Sequence, residues 1–151
     1  MGSGSQPEAL DMIAASILSG LPSAQVGPRY QHPPTATIMK YWLIFIENVH
    51  PLTKIVHGPT MHQMIVDSTL NTSKNTDALK FSIYACAVAS LMDRECERLF
   101  SQEKAFLLHN FQSATRNALL ESSFLGVPDI DLLRAHLLFL VSRSTLFVSK
   151  L

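Results

Sequence analysis

Three histidines that lie close together in the chain have residue types suited to metal binding. They are His50, His57 and His62. A zinc site needs three or four ligands in tetrahedral geometry, and no cysteine is near these histidines in sequence. No pair has the HxxxH spacing of a zinc protease helix, and no HExxH motif occurs. We therefore interpret these histidines as connector and capping residues, and the sequence implies no metal ion.

Two cysteines, Cys86 and Cys96, are the candidate nucleophiles. No neighbouring residue is identifiable as a base for either thiol. Cys86 is expected to be a small buried hydrophobe, and Cys96 a free thiol. Two cysteines do not make a disulfide framework and suit a reducing, intracellular compartment. Because hydrolase, phosphate-loop and dinucleotide motifs are also missing, the sequence implies no catalytic residue and no cofactor; this favours a non-enzyme and leaves an enzymatic role open.

The charge pattern argues against direct nucleic-acid binding. The chain has 12 basic and 12 acidic side chains, a net charge of zero and only 16% charged residues. A nucleic-acid binder normally has a basic face. The densest charge cluster, DRECER at residues 93–98, has alternating signs typical of a solvated helix face, with partner docking as the alternative. Low charge and 47% apolar residues favour association with a protein.

Neither a membrane span nor a signal peptide is expected. The widest apolar stretch, Phe81 to Met92, is too short to cross a bilayer. The N-terminus has no basic segment followed by an apolar core.

An amphipathic helix is predicted to begin near Thr35, after the His-Pro-Pro turn, and to end before Pro51. One face of it carries five apolar residues: Ile38, Trp42, Phe45, Ile46 and Val49. This spacing predicts that Trp42, the only tryptophan, is a buried anchor. An apolar connector, Leu52 to His57, follows it. Thr60 and Gln63 have the spacing of a capping box for a short helix that ends near Ser68.

The next predicted helix, from Asp77 to about Met92, is apolar nearly all round. Such a helix is buried on several sides, so we expect it at the centre of the fold. A short helical turn from Asp93 to Phe100 follows. A longer helix to about Phe124 follows, and the predicted inward stripe consists of Leu107, Phe111, Ala114, Ala118 and Leu125.

Asp129 is predicted to cap the N-terminus of the last helix, which has two apolar faces. Its core stripe is expected to be Leu133, Leu137, Leu140 and Val141. Its second face, formed by Leu132, His136 and Phe139, then needs cover. These three residues are the predicted interface for a homodimer or another protein partner.

These patterns predict an all-α fold, an irregular bundle of about six helices in antiparallel hairpins. Residues 1–31 are predicted to hold a short helix and a Pro/Gly-rich linker, residues 32–143 the helical domain, and residues 144–151 a tail. The N-terminal helix rests on the helical spacing of Leu10, Ile13 and Ile17. A short strand at residues 146–148 is the one β alternative.

Four segments together resemble the start of the fungal-specific transcription factor domain, the middle homology region of fungal zinc binuclear-cluster regulators. They read HPP…YWLIFIENVHPLTKIVHGPT, ALKFSIYACAVASLMDRECERLF, FQSATRNALLESSFL and IDLLRAHLLFLVSR. The core residues that carry the resemblance are Trp42, Phe45, Ile46, Leu52 and Ile55.

This resemblance implies a regulatory or interaction domain of a secondary-metabolism regulator, nuclear or cytoplasmic. A zinc binuclear cluster needs six closely spaced cysteines, and this chain has two. The alternative is a stand-alone helical protein that binds or transforms a small hydrophobic metabolite. A closed apolar pocket with converging polar groups would favour the alternative, whereas an open apolar face would favour the regulator.

Overall fold

The structure, a computed structural model, describes residues 30–67, 74–123 and 129–144. In these ranges it contains seven helices and no strand, which confirms the all-α prediction. The helices are α1 (Thr35–Asn48), α2 (His50–Thr53), α3 (Gly58–Val66), α4 (Lys74–Ala89), α5 (Asp93–Phe100), α6 (Lys104–Ser123) and α7 (Ile130–Arg143). The helix predicted around residues 10–17 and the strand considered at 146–148 lie outside the described residues.

Helix α1 begins directly after the two prolines and buries Ile38, Trp42 and Phe45 of the predicted face, whereas Ile46 is half-buried. The Ile38 backbone N–H donates to the Pro34 carbonyl at 3.0 Å, which closes the first turn. Trp42 is 2% exposed, as predicted, and its indole N–H donates to His62 Nδ1 at 3.0 Å. Tyr41, which the predicted stripe omitted, is equally buried, and its ring stacks on that of Phe100 with the centroids 4.3 Å apart.

The segment after α1 differs from the prediction, because Leu52 is 59% exposed instead of part of the core. Pro51 lies in the first turn of α2, where its missing N–H costs nothing, so a short helix forms in place of a connector. Lys54 then takes a left-handed conformation (φ 47°). This change of direction leaves Ile55 half-buried and places Val56, not Leu52, in the core.

Helix α3 begins at Gly58, with His57 at its N-cap position. Thr60 therefore lies inside the helix, and the predicted capping role for it is wrong. His57 Nδ1 and the Thr60 hydroxyl are 2.7 Å apart. Met61 and Ile65 are the buried residues of this helix.

Helix α4 is the centre of the fold, as its sequence predicted. Every residue from 78 to 89 is buried, and the helix packs against α1, α6 and α7. Even Lys80 is only 1% exposed; its burial lowers the pKa of the ammonium group, an effect that nearby Asp77 opposes. Ser82 satisfies its hydroxyl within the helix by donating to the Leu79 carbonyl at 2.6 Å.

The end of α4 is tied to the start of α6 by a lysine. The Lys104 ammonium donates to the carbonyl of Ala89 at 3.2 Å and to that of Leu91 at 2.6 Å. A cation is favourable at a helix C-terminus, where carbonyls lack helical partners. The predicted inward stripe of α6 is buried from Leu107 to Ala118, and its last member, Leu125, lies outside the described residues.

Candidate interaction surface

Helix α7 is oriented by contacts on one face. Its N-cap, Asp129, accepts a hydrogen bond from the Asp131 backbone N–H at 2.9 Å, as the sequence predicted. The Cys86 thiol of α4 donates to the Leu138 carbonyl at 3.0 Å, and the Gln112 side chain of α6 donates to the Ser142 carbonyl at 3.3 Å. These bonds fix which side of α7 faces the core.

The buried face of α7 is not the predicted one. It consists of Ala135, Leu138, Phe139 and Ser142. The predicted core leucines Leu133, Leu137 and Leu140 are 58%, 41% and 52% exposed. The prediction followed the leucines at helical spacing, whereas the structure buries the face with the small side chains Ala135 and Ser142, and α7 packs on α4 and α6.

The predicted partner face is therefore only partly available. Phe139 is 8% exposed, and the guanidinium groups of Arg116 and Arg143 lie 5.8 and 5.7 Å from its ring centroid. Leu132 is half-buried and packs against the core, while His136 is exposed. A partner contact by these three residues stays a prediction, but they do not form the uncovered apolar surface.

That surface is instead a stripe formed by Ile130, Leu133, Leu137 and Leu140, which we call the α7 stripe. Ile130 is 62% exposed. The four residues are separated by steps of three, four and three, so they share one line along the helix. A contiguous exposed apolar patch of this kind commonly marks an interaction site. A signal for this stripe was present in the sequence. Ala135, Leu138 and Ser142 also recur at helical spacing, and burial of that line leaves the leucine line exposed.

A polar cluster outside the sequence predictions joins the His-Pro-Pro turn to α4. His32 Nε2 lies 2.8 Å from Asp77 Oδ1, and His32 Nδ1 lies 3.2 Å from the Tyr84 hydroxyl. The ring of His32 also stacks on Phe81 with centroids 4.3 Å apart. Burial, and secondarily the neighbouring Asp77, raises the pKa of the Tyr84 hydroxyl, so this group is a poor proton acceptor or nucleophile. The cluster therefore serves as a tether for the start of the domain.

The histidines considered as metal ligands have separate local contacts. His62 accepts from Trp42, and His57 contacts Thr60. His50 Nδ1 is buried and has no hydrogen-bond partner. Among the described residues, no group of three or more His, Cys, Asp or Glu side chains is arranged to hold a metal ion.

Both cysteines are free and buried. Burial raises the pKa of the Cys86 thiol, partly opposed by the backbone of Ser142. Burial likewise raises the pKa of Cys96, against the effect of nearby Lys104. Since a thiolate is the reactive form of cysteine, neither environment activates a nucleophile.

The charged cluster on α5 is a solvated face with one capping contact. Glu95 accepts from the Met92 backbone N–H at 2.9 Å, and Cys96 is the buried residue of the helix. Arg94, Glu97 and Arg98 are exposed. Docking of a partner to this helix stays a prediction.

An open cleft of about 600 Å³ lies between the start of α1 and the turn from α5 to α6. Its lining includes the aromatic rings of Tyr41, Phe81 and Phe111, together with the polar side chains of Lys40 and Asn110. The cleft is open and mixed in polarity, unlike the closed apolar pocket that would favour a metabolite-binding protein. The exposed α7 stripe is the feature that the sequence analysis associated with a regulator.

No described helix is long and apolar enough to cross a membrane.

Comparison with known proteins gives consistent matches to one kind of protein. The chain is 39% identical to the transcriptional regulator nsrM of Aspergillus novofumigatus over 142 residues, and this match covers 92% of the chain. It is 40% identical over 134 residues, 80% of the chain, to the aurofusarin cluster transcription factor aurR2 of Gibberella zeae. The C6 finger domain transcription factor adaR of Aspergillus niger is 29% identical over 105 residues, 66% of the chain.

The homologues of this chain are fungal pathway-specific transcription regulators. The chain spans about a fifth of the length of the first two, 20% of each, and 14% of adaR. No protein-family profile matches the chain. No solved structure matches it either. The resemblance found in the sequence is thus supported at the level of transcription regulators, over most of the chain.

Proposed function

We propose that the chain acts as a regulatory interaction region of a fungal pathway-specific transcription regulator and works in the nucleus. The observation that carries this proposal is the 39–40% identity to nsrM and aurR2 over most of the chain. The finer proposal is that this region corresponds to the middle homology region of zinc-cluster regulators, on the resemblance of the four segments quoted above.

Protein contact is the mode of action that the chain's surface supports. The formal net charge is zero, whereas a nucleic-acid binder normally carries an excess of basic residues, and the chain has only two cysteines, both buried. The α7 stripe instead presents four exposed apolar side chains on a helix whose other face is fixed to the core. We therefore expect this region to act on transcription through protein contacts, without sequence-specific binding of duplex DNA of its own.

A segment exchange in Gibberella zeae tests the regulatory role. The segment of aurR2 that aligns with this chain is replaced by the chain, and transcripts of the aurofusarin cluster are measured. We expect deletion of the segment to change the level of these transcripts, and the exchanged regulator to restore the wild-type level. The control is the same exchange with Leu79→Asp, which puts a carboxylate into the core of α4 and unfolds the region.

Two results would contradict the proposal. One is that an unrelated helical domain of similar length restores the transcripts equally well. The other is that the exchanged regulator is present at wild-type levels but leaves the transcripts as they are in the deletion strain. Fluorescent tagging of the gene product checks the expected nuclear location separately.

A further inference from the structure

The α7 stripe has the spacing of a helix-pairing seam. Steps of three, four and three residues are those of the a and d positions in two successive heptads. The opposite face of α7 already packs on α4 and α6. The stripe is therefore free to pack against a helix outside the described core, and the residues beside it decide which helix fits.

One edge of the stripe carries opposite charges at its two ends. Asp129, His136 and Arg143 follow each other at heptad spacing along this edge, which is the g position when Ile130 is at a. Asp129 caps the N-terminus of α7 and Arg143 lies in its last turn. In an antiparallel helix pair the two g edges face each other. A second copy would thus place its Arg143 against Asp129, and two-fold symmetry would repeat the pair at the other end.

We propose that the chain forms a homodimer in which two α7 helices pack antiparallel through the α7 stripe. In an antiparallel pair, the positive end of each helix dipole also lies beside the negative end of the other, which is favourable. A parallel pair would instead bring Asp129 to Arg134, whose guanidinium is already bound to Asp131 at 3.1 Å. Arg143 is exposed, with its guanidinium 5.7 Å from the Phe139 ring centroid, so it can reach a partner.

The size of the contact sets the expected affinity. Helix α7 has 14 residues and so is about 21 Å long. One helix from each protomer gives a contact at the small end of specific protein interfaces, so we expect a dissociation constant in roughly the micromolar range. This inference goes beyond the proposed function, since association of the purified chain does not depend on any role in transcription.

Sedimentation equilibrium of the purified chain tests the dimer. We expect a monomer–dimer equilibrium for the wild type, and a dissociation constant raised more than about 100-fold by Leu137→Glu, because an unpaired carboxylate would be buried at the seam. The matched control is Leu43→Glu on α1, where the leucine is 60% exposed and lies outside the stripe. This variant should associate like the wild type, and circular dichroism should show both variants folded.

A charge exchange tests the direction of pairing. Arg143→Glu alone and Asp129→Lys alone should each weaken self-association, because each places like charges against each other twice. An equimolar mixture of the two variants should form a heterodimer, in which both ends again carry opposite charges. Mass photometry or sedimentation of the mixture measures this recovery.

The proposal is overturned by a wild-type chain that is monomeric at 100 micromolar (roughly a hundred times the expected constant). It is overturned equally if Leu43→Glu and Leu137→Glu weaken association to the same extent. Self-association that ignores both charge variants would show that the two helices do not meet antiparallel. A monomer that binds only a different protein through the stripe also rejects the homodimer, while the segment exchange in Gibberella zeae would still test the proposed function independently.

Discussion

Helices α4 and α7 are both rich in apolar residues, yet they occupy opposite situations. Residues 78–89 of α4 are all buried, including Lys80 and Ser82. Helix α7 has large leucines at Leu133, Leu137 and Leu140, and all three are substantially exposed. The comparison shows that burial in this domain follows the position of a helix among its neighbours more than the hydrophobicity of its side chains.

Small residues at the contact between the two helices explain the difference. Ala135 and Ser142 of α7 are buried, and Cys86 of α4 reaches the α7 backbone with a hydrogen bond to the Leu138 carbonyl at 3.0 Å. A leucine in place of Ala135 or Ser142 would hold the helices further apart. Leu133, Leu137 and Leu140 lie on the outside, where they form the α7 stripe together with Ile130.

The largest expected effect comes from truncation on opposite sides of α4. Phe81 is 4% exposed and Leu79 is 1% exposed, and their positions place them on different sides of the helix. Phe81→Ala should reduce the free energy of unfolding by about 3–5 kcal/mol, and Leu79→Ala by about 2–5 kcal/mol. Chemical denaturation measures both. A loss below about 1 kcal/mol at either position would mean that α4 has a free side and would break the comparison.

The next test compares truncations on the buried face and the exposed face of α7. Leu138 is 0% exposed and its neighbour Leu137 is 41% exposed. Leu138→Ala should cost about 2–5 kcal/mol, whereas Leu137→Ala should stay within about 0.5 kcal/mol of the wild type. The measurement is made well below the dissociation constant of the proposed dimer, so that only folding of the monomer contributes. Equal losses at the two positions would show that α7 is rotated relative to this structure.

The smallest expected effect is a pH dependence at the point where α4 and α7 touch. Burial raises the pKa of the Cys86 thiol above its unfolded value of about 8.5. Above that pH the unfolded chain loses a proton that the folded chain keeps, so folding stability falls as pH rises. Through this thiol, the free energy of unfolding falls with a slope that approaches about 1.4 kcal/mol per pH unit.

The variant Cys86→Ala isolates this contribution. The difference in free energy of unfolding between wild type and variant should change with pH above about 8.5 and be constant below about 7.5. Lys80, whose pKa burial lowers, contributes with the opposite sign but equally to both proteins. A difference that does not depend on pH up to 10 would show that Cys86 is solvated, and hence that the two helices do not touch here as described.

Local sequence signals predicted most of the helical framework. The prolines before Thr35, the apolar face of α1 around Trp42 and the N-cap Asp129 act within a few residues, so their spacing alone was sufficient. The core positions after Pro51 were not predictable in the same way. The left-handed conformation of Lys54 turns the chain, exposes Leu52 and buries Val56. Lysine rarely adopts this conformation, so the residue type did not predict the turn.

The candidate sites were less predictable because their members are far apart in sequence. His32 meets Asp77 and Tyr84 only when the first turn lies against α4. The resemblance of four ordered segments to regulators needed no structure, and the matches to nsrM and aurR2 support it. It did not indicate which face of the last helix was left free.

By itself, then, the sequence determined the all-α class, the buried α4, the Trp42 anchor and the relationship to transcription regulators. These depend on periodicity, caps and residue order, which are local or directly comparable between chains. Tertiary structure alone decided the rotation of α7, and with it the identity of the exposed stripe. The sequence of α7 offers two lines of residues at the same helical spacing, Ala135–Leu138–Ser142 and Leu133–Leu137–Leu140. Because both lines have that spacing, only the packing of α7 against α4 and α6 decides which of them is buried.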